Sequence, residues 1–173
     1  MVNGLSHLGV VGRAASFCSA TAAQFDRADQ GLSFFSQNAS WLQPPGHVHA
    51  MISGTWAEQT LRLQSNNSTA AACPTNVSVA AQRSLDGRLV IRAVNAGTRS
   101  MPLEFRLRGA AVRVGPSRMR VLRGAAGSMD NTLASPFNVA PVARVGPVWD
   151  GGTVLEVELE ALSFVVVETD LVG

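Results

Sequence analysis

Strict alternation of apolar and polar residues, repeated through the second two-thirds of the chain, is the feature that most narrows its fold. Leu155, Val157 and Leu159 alternate with Glu156, Glu158 and Glu160, and a turn near Ala161 leads into Leu162, Phe164 and Val166 with Val165 and Val167 opposite. Successive side chains of a strand point to opposite faces, so each such run predicts a strand with one dry face and one wet face. The same pattern sets Val77 and Val79 against Ser78, Ala80 and Gln82, and Leu103, Phe105 and Leu107 against Glu104, Arg106 and Arg108. It also sets Met119 and Val121 against Arg118, Arg120 and Arg123, and Leu61 and Leu63 against polar neighbours. Asp86-Gly87, between the Val77 run and Leu89, Ile91 and Ala93, is a strong hairpin signal. The last strand is apolar on both faces, which predicts a central or covered position. Residues 57–173 therefore read as a mainly β, antiparallel, jelly-roll-like β-sandwich. Within them, Gly124 to Gly152 has no clear period, as expected of a loop that is functional or packed on a neighbour.

Upstream the character changes. Leu5, Leu8, Val11, Ala15, Cys18 and Ala22 form one stripe of a helix over Leu5 to Phe25, and Leu32-Ser-Phe-Phe-Ser36 reads as a strand. In Trp41-Leu-Gln-Pro-Pro-Gly46 the two prolines are expected to close one element, with Gly46 turning the backbone into the next. Val48, Met51 and Ile52 then fall at helical spacing, predicting a short helix that ends near Gly54. Residues 1–56 are thus separated from the strands by a junction.

Length and charge exclude several functions. At 173 residues the chain holds one good-sized domain, or one domain and a fragment, but not a full (β/α)8 barrel of roughly 250 residues. All 14 basic residues are arginine, the net charge is +2, and the arginines are spread along the chain, so no nucleic-acid surface is expected. No apolar run approaches a membrane span. The sequons Asn38-Ala-Ser, Asn66-Asn-Ser, Asn67-Ser-Thr and Asn76-Val-Ser are possible glycosylation sites and point to an extracellular or secretory location, with the signal outside this chain. Cys18 and Cys73 are a possible disulfide, although a buried helical thiol is the alternative for Cys18.

Few residues suit chemistry. His47 and His49 are two apart and diverge on a helix, and no Cys or carboxylate completes a metal site, so no metal or cofactor is expected and an interface role is favoured. No nucleophile elbow or phosphate-cradling loop occurs. Trp41, Trp56 and Trp149 are possible sugar or interdomain contacts.

Asp29-Gln-Gly-Leu-Ser-Phe-Phe, Trp41-Leu-Gln-Pro-Pro and Val48-His-Ala-Met-Ile together resemble the end of the catalytic barrel of glycoside hydrolase family 51 α-L-arabinofuranosidases. Asn131-Thr with Pro136-Phe-Asn-Val-Ala-Pro141 resembles the loop that precedes the last strands of those enzymes, and Ala161 to Glu168 their closing strand. Where the family often has tyrosines after the junction proline, Gly46 and His47 stand here. The resemblance implies that 1–56 contribute one or two helices left from a (β/α)8 barrel, and that 57–173 form the C-terminal sandwich. It also implies retaining hydrolysis by two carboxylates about 5–5.5 Å apart, at barrel strand ends that lie earlier than anything in this chain. No catalytic residue is therefore assigned here, and the expected partners are the missing catalytic barrel and a polysaccharide or glycan. The alternative is a stand-alone carbohydrate-binding β-sandwich, which needs a row of exposed aromatic side chains.

Overall fold

The computed structural model describes residues 32–64, 76–113, 115–124 and 130–172. The expected helix over Leu5 to Phe25, together with Cys18, Asn66, Asn67 and Cys73, lies outside them. A short hairpin comes first, β1 (Ser33–Phe35) against β2 (Ser40–Leu42), followed by helix α1 (Pro44–Ser53). Strands β3 (Gln59–Thr60), β4 (Val77–Arg83), β5 (Arg88–Asn95), β6 (Met101–Arg106) and β7 (Ala111–Val112) follow. β8 (Pro116–Arg123), β9 (Val142–Val148), β10 (Val154–Leu159) and β11 (Ser163–Val172) complete the chain. The large sheet has the order β3-β4-β5-β11-β8-β9, with β7 also paired to β11, and a second sheet holds β10 and β6.

Every strand pairing among the described residues is antiparallel, and Asp86-Gly87 does sit in a hairpin, with Gly87 at φ 87° between β4 and β5. β11 is central, between β5 and β8, as its two apolar faces require. One face of the large sheet packs on β6 and β10. That core joins Val77 and Ala81 of β4, Leu89, Ile91 and Ala93 of β5, Val121 of β8 and Val165 and Val167 of β11 to Leu155, Val157 and Leu159 of β10. The opposite face, which carries Val90, Val94, Leu122, Phe164 and Val166, packs on Val48, Met51 and Ile52 of α1. The helix thus shares a core with the sheet.

Four expectations are corrected. Pro44 and Pro45 do not close an element: they form the first turn of α1, where their missing N–H groups cost nothing. Gly46 is likewise inside the helix, where an added Cβ would lie 2.1 Å from the Leu32 carbonyl oxygen, so it permits close packing instead of turning the chain. Leu61 and Leu63 lie beyond β3, which ends at Thr60, and Leu63 is about half exposed. The aperiodic Gly124 to Gly152 stretch contains strand β9, whose Val142-Ala-Arg-Val-Gly-Pro-Val is mostly exposed at the sheet edge and so has no dry face to impose a period. Among the described residues the second layer has two strands, so the sandwich is unequal.

His47 is buried on α1 with its Nε2 atom unpartnered, and burial holds its imidazole below the usual histidine value. A lowered folded-state pKa means that the unfolded chain takes up the proton first. The stability tied to neutral His47 is fully present above about pH 6.5 and is lost as pH falls through the lower folded value. Thermal midpoints measured between pH 7.5 and 5.5 should therefore fall less in His47→Leu than in the parent chain. Identical slopes would refute a neutral, buried His47.

Candidate functional site

Both ends of α1 are fastened by buried polar groups. At its N-terminal end, Gln43 and Asn131 pair reciprocally: Gln43 Nε2 donates to the Asn131 carbonyl at 2.6 Å, and the Asn131 N–H donates to Gln43 Oε1 at 3.1 Å. Asn131 Nδ2 donates to the carbonyls of Leu42 (2.7 Å) and Val139 (2.9 Å), while its Oδ1 accepts the Val139 N–H at 2.7 Å. Trp41 Nε1 donates to the same Asn131 carbonyl at 3.1 Å, and its ring meets Phe34 edge-on. The loop expected to be packed on a neighbour is thus tied to the residues just before α1.

At the C-terminal end, Arg92 does the corresponding work. It stands on β5 with 4% exposure, in the middle of an otherwise apolar run. Its Nη2 donates to the carbonyls of Thr55 and Ile52 and, at 3.2 Å, to Thr55 Oγ1, and its Nη1 donates to Gln82 Oε1. A cation against the last carbonyls of a helix complements both their unmet acceptors and the negative end of the helix dipole. Burial pushes the Arg92 guanidinium down to about 10, Glu168 opposing the fall and Arg88 and Arg120 adding to it, so it stays cationic at neutral pH.

Directly opposed residues of antiparallel strands share a face, so the register lays out a charged floor beyond the helix. Arg88 opposes Asp170, Glu168 opposes Arg118, and Val166 lies between Arg92 and Arg120. Glu168 pairs with Arg88 at 3.0 Å and with Arg120 at 3.2 Å, whereas Arg118 and Asp170, both more than half exposed, stand 3.6 Å apart. Beside them is an open cavity of about 300 Å³ lined by Arg113, Pro116, Arg118, Glu168 and Asp170.

A general acid needs a carboxyl whose pKa is raised. The displaced carboxyls here move the other way. The Arg106 hydrogen bond lowers Glu104, hydrogen bonds from Arg144 and the charges of Arg123 and Arg144 lower Glu160, and the Ser84 hydroxyl lowers Asp86. Among the described residues, no group of three His, Cys, Asp or Glu side chains is placed to hold a metal, and no helix is long and apolar enough to cross a membrane.

The candidate residues named from sequence are not brought together. Trp149 is 1% exposed inside the sandwich core, which leaves its ring no face for a sugar. Trp41 is half-buried in the clamp, and Trp56 is 49% exposed, its carbonyl accepting from Arg88 Nη2 at 3.3 Å. Asn38 and Asn76 are both exposed. Sequence reasoning missed Arg92, Gln43 and Glu168. Their signal was a lone charge within Leu89 to Val94, and another directly after Val165 to Val167.

No protein-family model matches the chain, and no curated protein matches it. Solved structures do share its fold. A GH51 arabinofuranosidase from Xanthomonas axonopodis pv. citri matches at 24% identity and TM-score 0.64, over 82% of this chain and 29% of that one. The thermostable GH51 α-L-arabinofuranosidase of Thermotoga petrophila matches at 17% identity and TM-score 0.76, over 96% of this chain and 37% of that one. The catalytic domain of a GH30 xylanase C from Talaromyces cellulolyticus matches at 21% identity and TM-score 0.64, over 96% and 34%. The architecture is therefore a helix-covered β-sandwich of a kind that occurs within glycoside hydrolase structures. More particularly, it is the fold of a part of GH51 α-L-arabinofuranosidases, and the chain spans about a third of their length.

Replacing Arg92 by Leu leaves the Thr55 and Ile52 carbonyls and Gln82 without their donor, and should cost about 3 kcal/mol in urea unfolding followed by tryptophan fluorescence. Arg92→Lys should recover only part of that, since one ammonium does not span both Gln82 and the helix end. A loss below about 0.5 kcal/mol in Arg92→Leu would show that the helix is not held by this contact.

Proposed function

We propose that the chain is the C-terminal accessory part of a retaining glycoside hydrolase of the α-L-arabinofuranosidase type, acting on arabinose-containing polysaccharides. In this reading, residues 1–56 end the catalytic barrel and 57–173 are the accessory sandwich. The observation that carries it is the match of 82–96% of the chain to 29–37% of two GH51 structures. The clamped helix supports it: α1 is fixed to β5 at its C-terminal end and to the 130–141 loop at its N-terminal end, so a barrel of which it is the last helix would be held rigidly on the sandwich. The two catalytic carboxylates belong to the remainder of the enzyme, and this chain supplies neither. The exposed sequons at Asn38 and Asn76 support passage through a secretory route, where Asn66 and Asn67 are further acceptors and Cys18 and Cys73 are candidates to pair.

The alternative, a free carbohydrate-binding module, calls for a row of exposed aromatic rings. Among the residues whose side chains are described, Trp56 and Phe137 are the exposed large aromatics, and Phe137 lies on the loop that Asn131 ties down.

The purified chain should release no nitrophenol from 4-nitrophenyl α-L-arabinofuranoside and should not be retained by neutral linear arabinan. Hydrolysis would place catalytic groups in this chain and overturn the reading. Retention on arabinan that Trp56→Ala abolishes would establish the binding module instead.

A further inference from the structure

The charged cavity beyond α1 has no part in the reading above, which supplies only the choice of ligand class. Five arginines, Arg88, Arg92, Arg113, Arg118 and Arg120, gather around two carboxylates, Glu168 and Asp170. Arg88, Arg92 and Arg120 are committed to Glu168 or to the helix end. Arg118 and Arg113 are not. Arg118 stands 3.6 Å from Asp170, beyond a good hydrogen bond, with 65% of its side chain exposed. Arg113 is exposed at the cavity wall and makes no ion pair with a described residue. Arg113 is thereby unpaired and Arg118 held only by a long, exposed ion pair, at the mouth of a cavity of about 300 Å³, a volume at the lower end of those that take small ligands.

We propose that this cavity is a binding subsite for a uronic acid unit of a polysaccharide, with Arg118 and Arg113 gripping its carboxylate and Asp170 accepting from its hydroxyl groups. A planar guanidinium matches a carboxylate with two parallel N–H bonds, which no other cation in this lysine-free chain provides. The two acidic side chains decide between anions. Glu168 and Asp170 repel a phosphate dianion more strongly than a monoanion, and hydrogenphosphate has a single P–OH to offer them. A uronate carries a single negative charge and several hydroxyls, and a half-exposed carboxylate such as Asp170 is a ready acceptor for those. Neutral sugars gain only the hydroxyl contacts and leave the arginines with water.

The test is calorimetric titration of the whole chain with D-glucuronate, D-glucose and inorganic phosphate at low ionic strength. D-glucuronate should bind saturably with a dissociation constant on the order of millimolar, as a ligand of that size allows, and glucose at least tenfold more weakly. Arg118→Gln, a surface change, should weaken glucuronate at least tenfold. Arg144→Gln, which touches Glu160 and not the cavity, should leave it unchanged. Equal binding of phosphate and glucuronate would reduce the cavity to a general anion site and overturn the proposal. So would no heat with glucuronate, or affinity untouched by Arg118→Gln. The arabinan experiment reads a different quantity: retention on arabinan with glucuronate binding intact overturns the accessory reading alone, and glucuronate failure without retention overturns this one alone.

Discussion

The large sheet cannot exist as a two-layer sandwich, because its central strands are apolar on both sides. β5 and β11 bury Val90, Val94, Phe164 and Val166 on one face and Leu89, Ile91, Val165 and Val167 on the other. At roughly 25 cal/mol per Å² of apolar surface, leaving either face wet would forfeit several kcal/mol, comparable with the whole stability of a domain. One face is covered by β6 and β10. Covering the other falls to α1, which is why a helix and its flanking segments belong to the same core as strands far along the chain.

Apolar contact alone does not say where along the sheet a ten-residue helix must sit. Polar groups do. Asn131 pins one end through three hydrogen bonds to Gln43 and Leu42, with two more to Val139 fixing its own loop, and Arg92 pins the other through the helix carbonyls. Gly46 lets the start of the helix lie close to the segment leading into the β1–β2 hairpin, since any side chain there meets the Leu32 backbone. Hydrophobic burial supplies the attraction, and these directional contacts supply the register. Beyond the helix, arginines line an open cavity, and Arg113 there makes no ion pair with a described residue.

Much of this was legible in the sequence. Period-two alternation is dictated by a single dry face, so β4, β6, β8 and β10 were readable, as were the β4–β5 hairpin from Asp86-Gly87 and the central place of β11. β9 was not, because an exposed edge strand containing Gly146 and Pro147 has no face to pattern. The prolines at 44 and 45 were misread because a proline pair stops an element and starts a helix equally well. Of the candidate site, the aperiodic Gly124 to Gly152 segment reads as a loop either functional or packed down, and its 130–141 part is packed down; the clamp residues were not anticipated. A buried arginine or amide has no periodic signature, and its partners, Gln43 with Asn131 and Arg92 with Thr55, are 88 and 37 residues apart.

Because α1 and the sheet form one core, they should open together. Native-state hydrogen exchange measures this directly, by comparing the amides of Val48 to Ile52 with those of Phe164 to Val167. Equal opening free energies for the two sets, within about 1 kcal/mol, are the predicted result. A helix that exchanges at near-random-coil rates while β11 stays protected would contradict the account and make α1 an appendage of the sandwich.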